Sequence, residues 1–200
     1  MKLFDTLIIG GGVAGMQCAL VLGSSKETTT NKNVGIIMHQ RSSHLQNALF
    51  NNVLGIQPKT LGKDLLKEGQ EQLANLYPHI TQISKEKVLS IDSLENGYLV
   101  KTNKAEYTTK IIVIALNYSK PLTISGLEEF IIPHQKTKVS KDRIQLKNND
   151  YLVKKGMYVC GTIAGIRSQF SIAAGSGAAV ATDILTYWNN GEHTKVHDKA

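Results

Sequence analysis

Three glycines near the start of the chain have the spacing of a dinucleotide-binding turn. They follow the register G-x-G-x-x-G directly after the apolar run LFDTLII. In such a turn the first glycine permits a tight bend, the second lets a diphosphate approach the backbone, and the third allows a helix to pack closely on the strand. The N-terminal N–H groups and positive dipole end of that helix attract phosphate. The predicted phosphate-binding residues are Gly10, Gly12, Val13, Ala14 and Gly15.

The end of the next apolar run, VGIIMH, is the predicted adenosine end of the site. An acidic residue at this place accepts two hydrogen bonds from the adenosine ribose. Here the run ends in His39, Gln40 and Arg41, so the charge-assisted bonds are lost, at about 1–2 kcal/mol. A missing acid beside an arginine also favours a 2′-phosphate, so this half of the chain leaves NADP open as the ligand.

The apolar runs predict an α/β fold. LFDTLII, VGIIMH, KIIVIAL and GMYVCG are typical of buried parallel strands, and helical spacing occurs after the glycine loop, in LGKDLLKEGQEQLANL and in RSQFSIAAGSGAAVATDILTYW. KVLSIDS, GYLVKT and AEYTT indicate a small antiparallel β-meander inserted in the parallel fold. We expect a Rossmann-like three-layer domain with a central parallel sheet over residues 1–188. A polar, flexible tail over 189–200 would follow it.

A second group of small and polar residues follows the last predicted strand. In YVCGTIAGIRSQFSIAAGSGAAVA they are Gly161, Gln169, Ala173, Ala174, Gly175 and Gly177. With SHLQNALFNNVLG and the leucine-rich helix after it, this segment resembles the FAD domain of the low-molecular-weight thioredoxin reductase family, which is of the pyridine nucleotide-disulfide oxidoreductase type. That family has a strand, Gly-Asp, a short loop, a Gln and an Ala-Ala-Gly-x-Gly-x-x-Ala-Ala helix. The resemblance covers residues 3 to about 188.

The resemblance implies an FAD stretched across the domain. Adenosine would lie near His39 and Gln40, the pyrophosphate at the glycine loop, and the ribityl chain at Gly161 and Thr162. The N-terminus of the last helix would point at the pyrimidine edge of the flavin, where its dipole favours the negative charge of the reduced form. The residues implied beside the flavin ring are Asn47, Gln169, Phe170 and Ser171.

The chain departs from the family's pattern in three places. The family inserts an NADPH domain, which carries its catalytic cysteine pair, between the two halves of this FAD domain; here only a short connector joins them. The aspartate of Gly-Asp is Thr162, whose hydroxyl is a weaker partner than a carboxylate. The Ala-Thr-Gly run after the third core strand is Ala115-Leu116-Asn117. Both acidic anchors and the electron-input machinery are therefore missing.

Composition indicates a globular protein without metal or nucleic-acid chemistry. Hydrophobic residues make up 42% and charged residues 20%, and no apolar run is long enough to cross a bilayer or forms a signal peptide, so we expect a cytoplasmic protein. The net charge of +7 is scattered and does not form a basic stripe. Cys18 and Cys160 are far apart in sequence and are expected to be buried thiols. The six histidines lack metal-like spacing, so we predict no metal.

These observations favour a stand-alone FAD-binding flavoprotein with oxidoreductase activity. Its electrons would come from free NAD(P)H or a partner protein, and it would have no disulfide chemistry of its own. Two alternatives remain open: a non-catalytic nucleotide-binding or sensing module, and a subunit that pairs with a redox enzyme. The resemblance also implies a homodimer, since the family's members are dimers through this domain. No catalytic residue can be assigned from the sequence.

Overall fold

A computed structural model describes residues 2–29, 31–39, 43–194 and 196. The strands, in chain order, are β1 (Lys2–Ile9), β2 (Val34–Met38), β3 (Leu49–Phe50), β4 (Thr60–Leu61), β5 (Thr81–Ser84), β6 (Val88–Leu94), β7 (Gly97–Thr102), β8 (Glu106–Ile114), β9 (Ile131–Pro133), β10 (Ile144–Leu146), β11 (Leu152–Lys154) and β12 (Met157–Val159). The helices are α1 (Val13–Ser24), α2 (Lys26–Thr29), α3 (Gly62–Leu76) and α4 (Phe170–Trp188). Short 3-10 turns cover His44–Asn47 and Thr162–Ala164, among others.

The centre of the fold is a parallel sheet in the order β12-β8-β1-β2-β5, with β11 antiparallel on the edge beyond β12. Its middle strands are buried on both faces: Leu7 and Ile9 of β1 face one side, and Ile8 faces the other. Such strands appear in the sequence as continuous apolar runs, because neither face meets water. The predicted Rossmann-like α/β fold is confirmed.

Two hydrophobic clusters cover the two faces of the sheet and give the fold three layers. On one face α1, α3 and α4 pack through residues such as Leu22, Leu73 and Ile184. On the other face lie the meander, through Ile91 and Val100, and the segment between β8 and β12. Both layers leave open the edge where β1, β2 and β8 end. That edge is where ligands bind in open α/β sheets.

The meander consists of β6, β7 and β8, paired antiparallel in sequence order. The sequence suggested separate strands for AEYTT and KIIVIAL, and this prediction was wrong. They form one strand, β8, because its first half pairs with β7 while the whole strand pairs with β1, from Tyr107 to Ile114. The last strand of the meander is therefore also a core strand, which joins the two layers.

Several strands were not placed by the sequence predictions. The edge strand β5, of sequence TQIS, is mostly polar and carries no strong strand pattern. Residues 117–153, which showed no clear pattern, contain a two-stranded hairpin, β9–β10, and the edge strand β11. After Trp188 the described residues are 189–194 and 196, and Val196 packs against the helix-side cluster. No described helix is long and apolar enough to cross a membrane.

Candidate functional site

A cavity of about 770 Å³ lies at the open edge of the sheet. Its volume is within the ~300–1,000 Å³ that ligand and cofactor sites occupy. The cavity runs from the loop after β5 to the first turn of α4, and its walls come from parts of the chain far apart in sequence. Among the predicted residues, those that line it are Gly10, Gly12, Val13, Ala14, His39, Gly161, Thr162, Gln169 and Phe170.

The glycine loop forms the floor of this cavity, and each glycine has a different reason to be there. Gly10 has φ +119°, a conformation that only glycine adopts readily, and a Cβ there would lie 2.3 Å from the carbonyl oxygen of Ala115. Gly15 does not line the cavity: it packs behind the loop, where a Cβ would lie 1.9 Å from the carbonyl oxygen of Gly10. A Cβ on Gly12 meets nothing within 4 Å, so this position leaves open space for a ligand.

The first turn of α1 supplies backbone donors beside that open space. The helix's first bond runs from the Met16 N–H to the carbonyl oxygen of Gly12, 2.9 Å away. The N–H groups of Val13, Ala14 and Gly15 precede it and so have no acceptor within the helix. No side chain caps this end of the helix, and its first turn has no acidic residue. The arrangement is suited to an anionic ligand such as a diphosphate.

The turn after β12 forms the opposite wall. Gly161 has φ +75°, and a Cβ there would lie 3.1 Å from the Cβ of Ala14 across the cavity floor. Ser176, which is 2% exposed, fixes this turn from α4: its Oγ accepts from the Gly161 N–H at 2.9 Å and donates to the carbonyl oxygen of Ala173 at 2.7 Å. Ser176 was not predicted as a site residue, although it lies inside the small-residue helix that carried the resemblance.

Replacing Ser176 by alanine is expected to loosen this wall. The buried Gly161 N–H would lose its acceptor, which costs about 1–3 kcal/mol of unfolding free energy, and the turn that lines the cavity would lose its fixed position. Thr182→Ala is the matched control, because Thr182 donates to a carbonyl of the same helix, Ala179, and is not bonded to the cavity wall. Urea unfolding of both variants measures the difference. Equal costs would contradict the role given to Ser176.

Aromatic side chains close the far end of the cavity. Phe170, the first residue of α4, packs edge-to-face on Phe50 of β3 with ring centroids 5.1 Å apart, and both line the cavity. The backbone of the α4 N-terminus has no side-chain cap. Ser171 and Asn47 are described but are not among the lining residues, so their predicted contacts with the ligand stay predictions. The 3-10 turn that holds Asn47 brings the next residues, Ala48 and Leu49, to the wall instead.

The adenosine end predicted from the sequence is described only in part. His39 lines the cavity, whereas Gln40 and Arg41 lie outside the described residues. The opposite side of this end is formed by Glu86, Lys87 and Val88. The Glu86 carboxylate accepts from Tyr107 Oη at 3.0 Å and from Thr102 Oγ1 at 2.7 Å, which ties the loop after β5 to the meander.

The connector between β8 and β12 contributes two rings, Tyr118 and His134, to a ring cluster that was not predicted from the sequence. Tyr118 lies between His44, 5.5 Å away, and His134, 5.4 Å away, with the Arg143 guanidinium over its ring at 5.0 Å. Arg143 also donates to Ser119 Oγ at 2.9 Å, and both Ser119 and His44 line the cavity. Burial, together with the nearby Arg143, holds the pKa of His44 below its usual value. The neutral form of the ring at the cavity wall is therefore favoured.

His134 joins this ring cluster to the opposite wall. It is 6% exposed, its Nδ1 accepts from the Lys136 N–H at 3.1 Å, and Nε2 is therefore the nitrogen that donates to the carbonyl oxygen of Thr162, 3.2 Å away. Asn148 donates to the carbonyl oxygen of Ala164 in the same 3-10 turn. The connector thus contacts both walls, through His44 on one side and the Thr162–Ala164 turn on the other.

Neither cysteine belongs to the cavity. Cys18 on α1 and Cys160 after β12 are fully buried in the helix-side core, as the sequence predicted, and neither forms a disulfide. Burial raises the pKa of Cys160 to about 12 and raises that of Cys18 well above its usual value. The thiols are therefore protonated and poorly nucleophilic at pH 7. Within the described part of the chain, no group of three or more His, Cys, Asp and Glu side chains could hold a metal ion.

The fold and the cavity define a dinucleotide-binding domain of the Rossmann type with a second, C-terminal wall. A profile of the family described as pyridine nucleotide-disulphide oxidoreductase matches residues 4–168, and the chain belongs to this family. Members of the family are FAD-binding flavoproteins. The family and the cofactor predicted from the sequence are confirmed.

Known relatives match this chain over part of their length or at low identity. A ferredoxin–NADP reductase from Streptococcus pyogenes serotype M28 is 33% identical over 119 residues, which is 57% of this chain and 34% of the relative. The same enzyme from serotype M3 is 32% identical over the same share. The chain thus spans about a third of the length of these curated relatives.

Solved structures support the fold over the whole chain. A thioredoxin reductase from Gloeobacter violaceus superposes with a TM-score of 0.73 at 15% identity, covering 100% of this chain and 99% of that one. A ferredoxin-flavin thioredoxin reductase from Clostridium acetobutylicum gives a TM-score of 0.69 at 19% identity, covering 95% and 99%. Identities this low establish the shared architecture.

The residues present fit FAD at the level of shape and charge. The cavity is open above Gly12 and bounded by a helix N-terminus that has no acidic residue in its first turn, an arrangement that suits a diphosphate. The aromatic pair Phe50 and Phe170 provides an apolar wall at one end. At the Gly161–Thr162 turn, Thr162 stands in place of the family's aspartate. Its partly exposed side chain lines the cavity wall.

Proposed function

We propose that this chain is a stand-alone flavoprotein oxidoreductase domain that binds FAD in the cavity described above and performs no disulfide chemistry of its own. One observation carries the proposal: a single cavity joins the glycine loop, the Gly161–Thr162 turn and the start of α4, while both cysteines are buried outside it. Residues 1–188 would act as one binding unit, since the last wall of the cavity comes from α4. Bound FAD would supply one- and two-electron redox chemistry.

In this proposal the chain's own residues bind and orient the cofactor. The N–H groups of Val13, Ala14 and Gly15 would donate to the diphosphate, and Gly12 leaves it room. Thr162 would hydrogen-bond the ribityl chain through its hydroxyl. The start of α4, Gln169 to Ser171, and Asn47 would lie near the flavin ring, with His39, Gln40 and Arg41 near the adenosine. The helix dipole of α4 would favour negative charge at the adjacent end of the flavin.

The electron donor would be a free nicotinamide nucleotide or another protein. Residues 115–156, which join β8 to β12, hold only the β9–β10 hairpin, β11 and short turns. This connector is far shorter than the ~100–200 residues of a typical domain. A second nucleotide-binding fold therefore has no room between the two halves of the site. The relatives named as ferredoxin–NADP reductases make both kinds of donor reasonable for this chain.

Anaerobic reduction of the reconstituted protein tests this function. The flavin absorption band is expected to bleach when NADH, NADPH or a reduced small iron–sulfur protein is added, and to return with oxygen. The control is the double variant Cys18→Ser/Cys160→Ser, which should cycle at the same rate because neither thiol reaches the cavity. If dithionite reduces the bound flavin but none of the three biological donors does, the protein is instead a nucleotide-binding or sensing module. That second function is favoured by the neutral residues Gln40 and Thr162.

A further inference from the structure

An acidic residue, Glu86, lines the end of the cavity where adenosine is proposed. The acid that follows the second strand of dinucleotide-binding folds is missing from this chain, which has Gln40 there. β2 and β5 are parallel neighbours paired as far as Met38, and the Lys85 N–H donates to the carbonyl oxygen of Met38 at 3.0 Å. Glu86 therefore follows β5 beside the place where His39 follows β2, and both residues line the cavity.

The Glu86 carboxylate is held in place from the meander. Thr102 Oγ1 donates to Oε2 at 2.7 Å, and Tyr107 Oη donates to the two carboxylate oxygens at 3.0 and 3.1 Å. The next residue is fixed as well, because the Lys87 N–H donates to Asn103 Oδ1 at 2.9 Å and the Asn103 N–H donates to the carbonyl oxygen of Lys87 at 3.0 Å. Burial, together with the Glu86 carboxylate, raises the pKa of Tyr107, so the phenol keeps its proton and remains a donor. An acceptor that is already fixed loses little conformational entropy when a ligand binds.

The carboxylate keeps acceptor sites for a ligand. An ionised carboxylate can accept about four hydrogen bonds, whereas Thr102 and Tyr107 each donate a single hydrogen to it. Within the described part of the chain, Glu86 forms no ion pair with a Lys, Arg or His side chain. The residue is also partly exposed. The hydroxyl groups of a ribose are suitable donors for the remaining sites, and hydrogen bonds to a charged acceptor are the stronger kind.

The same carboxylate is unfavourable for a ribose that carries a phosphate. A phosphate monoester has a charge of about −1.5 to −2 at pH 7, and like charges brought together at a binding site repel strongly. Lys87 lines this end of the cavity too, and its charge would attract a phosphate. Lys87 is exposed, however, so water and salt screen its charge more than that of the partly buried Glu86.

We infer that Glu86 is the acidic anchor of the adenosine ribose in this chain and selects dinucleotides with a free 2′-hydroxyl over those with a 2′-phosphate. Glu86 would accept from the ribose hydroxyls in place of the acid missing at position 40, and Tyr107 is the positioning residue that orients it. The inference rests on the proposed function for the placement of adenosine at the His39 end. NADP, which the sequence leaves open because Arg41 follows position 40, is disfavoured under this assignment.

Two ligands that differ only in the 2′-phosphate test this selection. ADP-ribose and 2′-phospho-ADP-ribose are titrated by calorimetry into the intact chain after removal of any bound nucleotide, because both contain the adenosine and the diphosphate of FAD without the flavin. The parent chain is expected to bind ADP-ribose at least about tenfold more tightly than the phosphorylated ligand. Tighter binding of the phosphorylated ligand would overturn the inference and assign this end of the cavity to a 2′-phosphate.

Glu86→Gln removes the charge and keeps the shape of the side chain. Its amide oxygen can still accept from Thr102, so the loop should stay in place, and urea unfolding checks this. The variant is expected to bind ADP-ribose about tenfold more weakly and to lose most of the preference for it. Tyr107→Phe retains the carboxylate but removes one donor that orients it, so ADP-ribose should bind about threefold more weakly and the preference should fall. An unchanged preference in Tyr107→Phe would refute its positioning role.

Glu106→Gln is the matched control. Glu106 is an exposed acid on β8, in the same meander, and it does not line the cavity. The substitution changes the net charge as Glu86→Gln does, and both affinities should stay within about twofold of the parent values because exposed charges contribute little. Equal changes of preference in the two variants would show an effect of overall charge and refute a specific anchor, as would an unchanged preference in Glu86→Gln.

FAD binding to the same proteins separates this inference from the proposed function. It is measured by flavin fluorescence. If FAD binds the parent chain and Glu86→Gln with equal affinity, the proposed function is supported and the anchor is refuted. If the parent chain binds no FAD but binds ADP-ribose with the expected preference, the flavoprotein function is refuted and Glu86 is supported as the anchor of another adenine nucleotide.

Discussion

Gly12→Asp is expected to lose FAD binding by at least about 100-fold while the protein stays folded. Gly12 has φ −79° and ψ −174°, an extended conformation that any residue adopts, and a Cβ there meets no atom within 4 Å. As the N-cap of α1, an aspartate is among the most favourable residues for the helix. Its carboxylate would occupy the space above the helix N-terminus and repel the diphosphate. Titration of FAD, followed by flavin fluorescence, measures the loss.

Gly12→Asn separates the effect of charge from that of bulk. Asparagine has the same shape as aspartate and caps helices equally well, so the two variants should unfold at similar urea concentrations. Gly12→Asn is expected to bind FAD more tightly than Gly12→Asp, because only the second adds a negative charge. If Gly12→Asp bound FAD as the parent protein does, the glycine loop would not be the phosphate site.

Gly177→Ala is expected to cause the largest loss of stability of any single methyl addition in α4. A Cβ at Gly177 would lie 2.0 Å from the backbone carbonyl oxygen of Ala14, where α1 and α4 cross. Backbone cannot move aside as a flexible side chain does, so the helices must separate, at a cost of about 1–3 kcal/mol or more. Because Ala14 lines the cavity, FAD binding should weaken as well. Urea unfolding of the apo-protein measures the first effect.

Gly175→Ala, two residues earlier in the same helix, is the matched control. Gly175 is exposed and a Cβ there meets nothing within 4 Å. Alanine is a better helix former than glycine by about 0.8–1.0 kcal/mol, so this variant should be slightly more stable than the parent. Opposite signs for two glycine-to-alanine changes in one helix are expected only if α1 and α4 cross as described. Similar effects would contradict that crossing.

The parts of the site that the sequence predicted are local in the chain. The glycine loop needs a strand, a turn and a helix in immediate succession, so its spacing alone places Gly10, Gly12 and Gly15. The small residues of α4 were found because they form a contiguous motif that resembles the family's last helix, whereas the close approach of Gly177 to Ala14 is visible only in the structure. Buried parallel strands are also recognisable, because both of their faces are apolar.

The parts that were missed depend on contacts between distant residues. Tyr118 lies between His44 and His134, and no periodicity relates these three positions. Ser176 was visible as part of a small-residue run, but only the fold shows that its hydroxyl holds the Gly161 turn. The strand β5 was missed because its sequence, TQIS, is mostly polar, although its pairing with β2 places it in the sheet. Asn47 was assigned to the flavin by resemblance; it does not line the cavity, and its contact with the ligand stays a prediction.

Identification of the ligand bound to the purified protein tests whether the cavity holds FAD. After incubation with a mixture of FAD, FMN, NADP and NAD and removal of free ligand, the protein is denatured and the released molecules are identified by mass and quantified against protein. Close to one FAD per chain and little of the other nucleotides are expected. Release of NADP without FAD, or of no nucleotide at all, would contradict it.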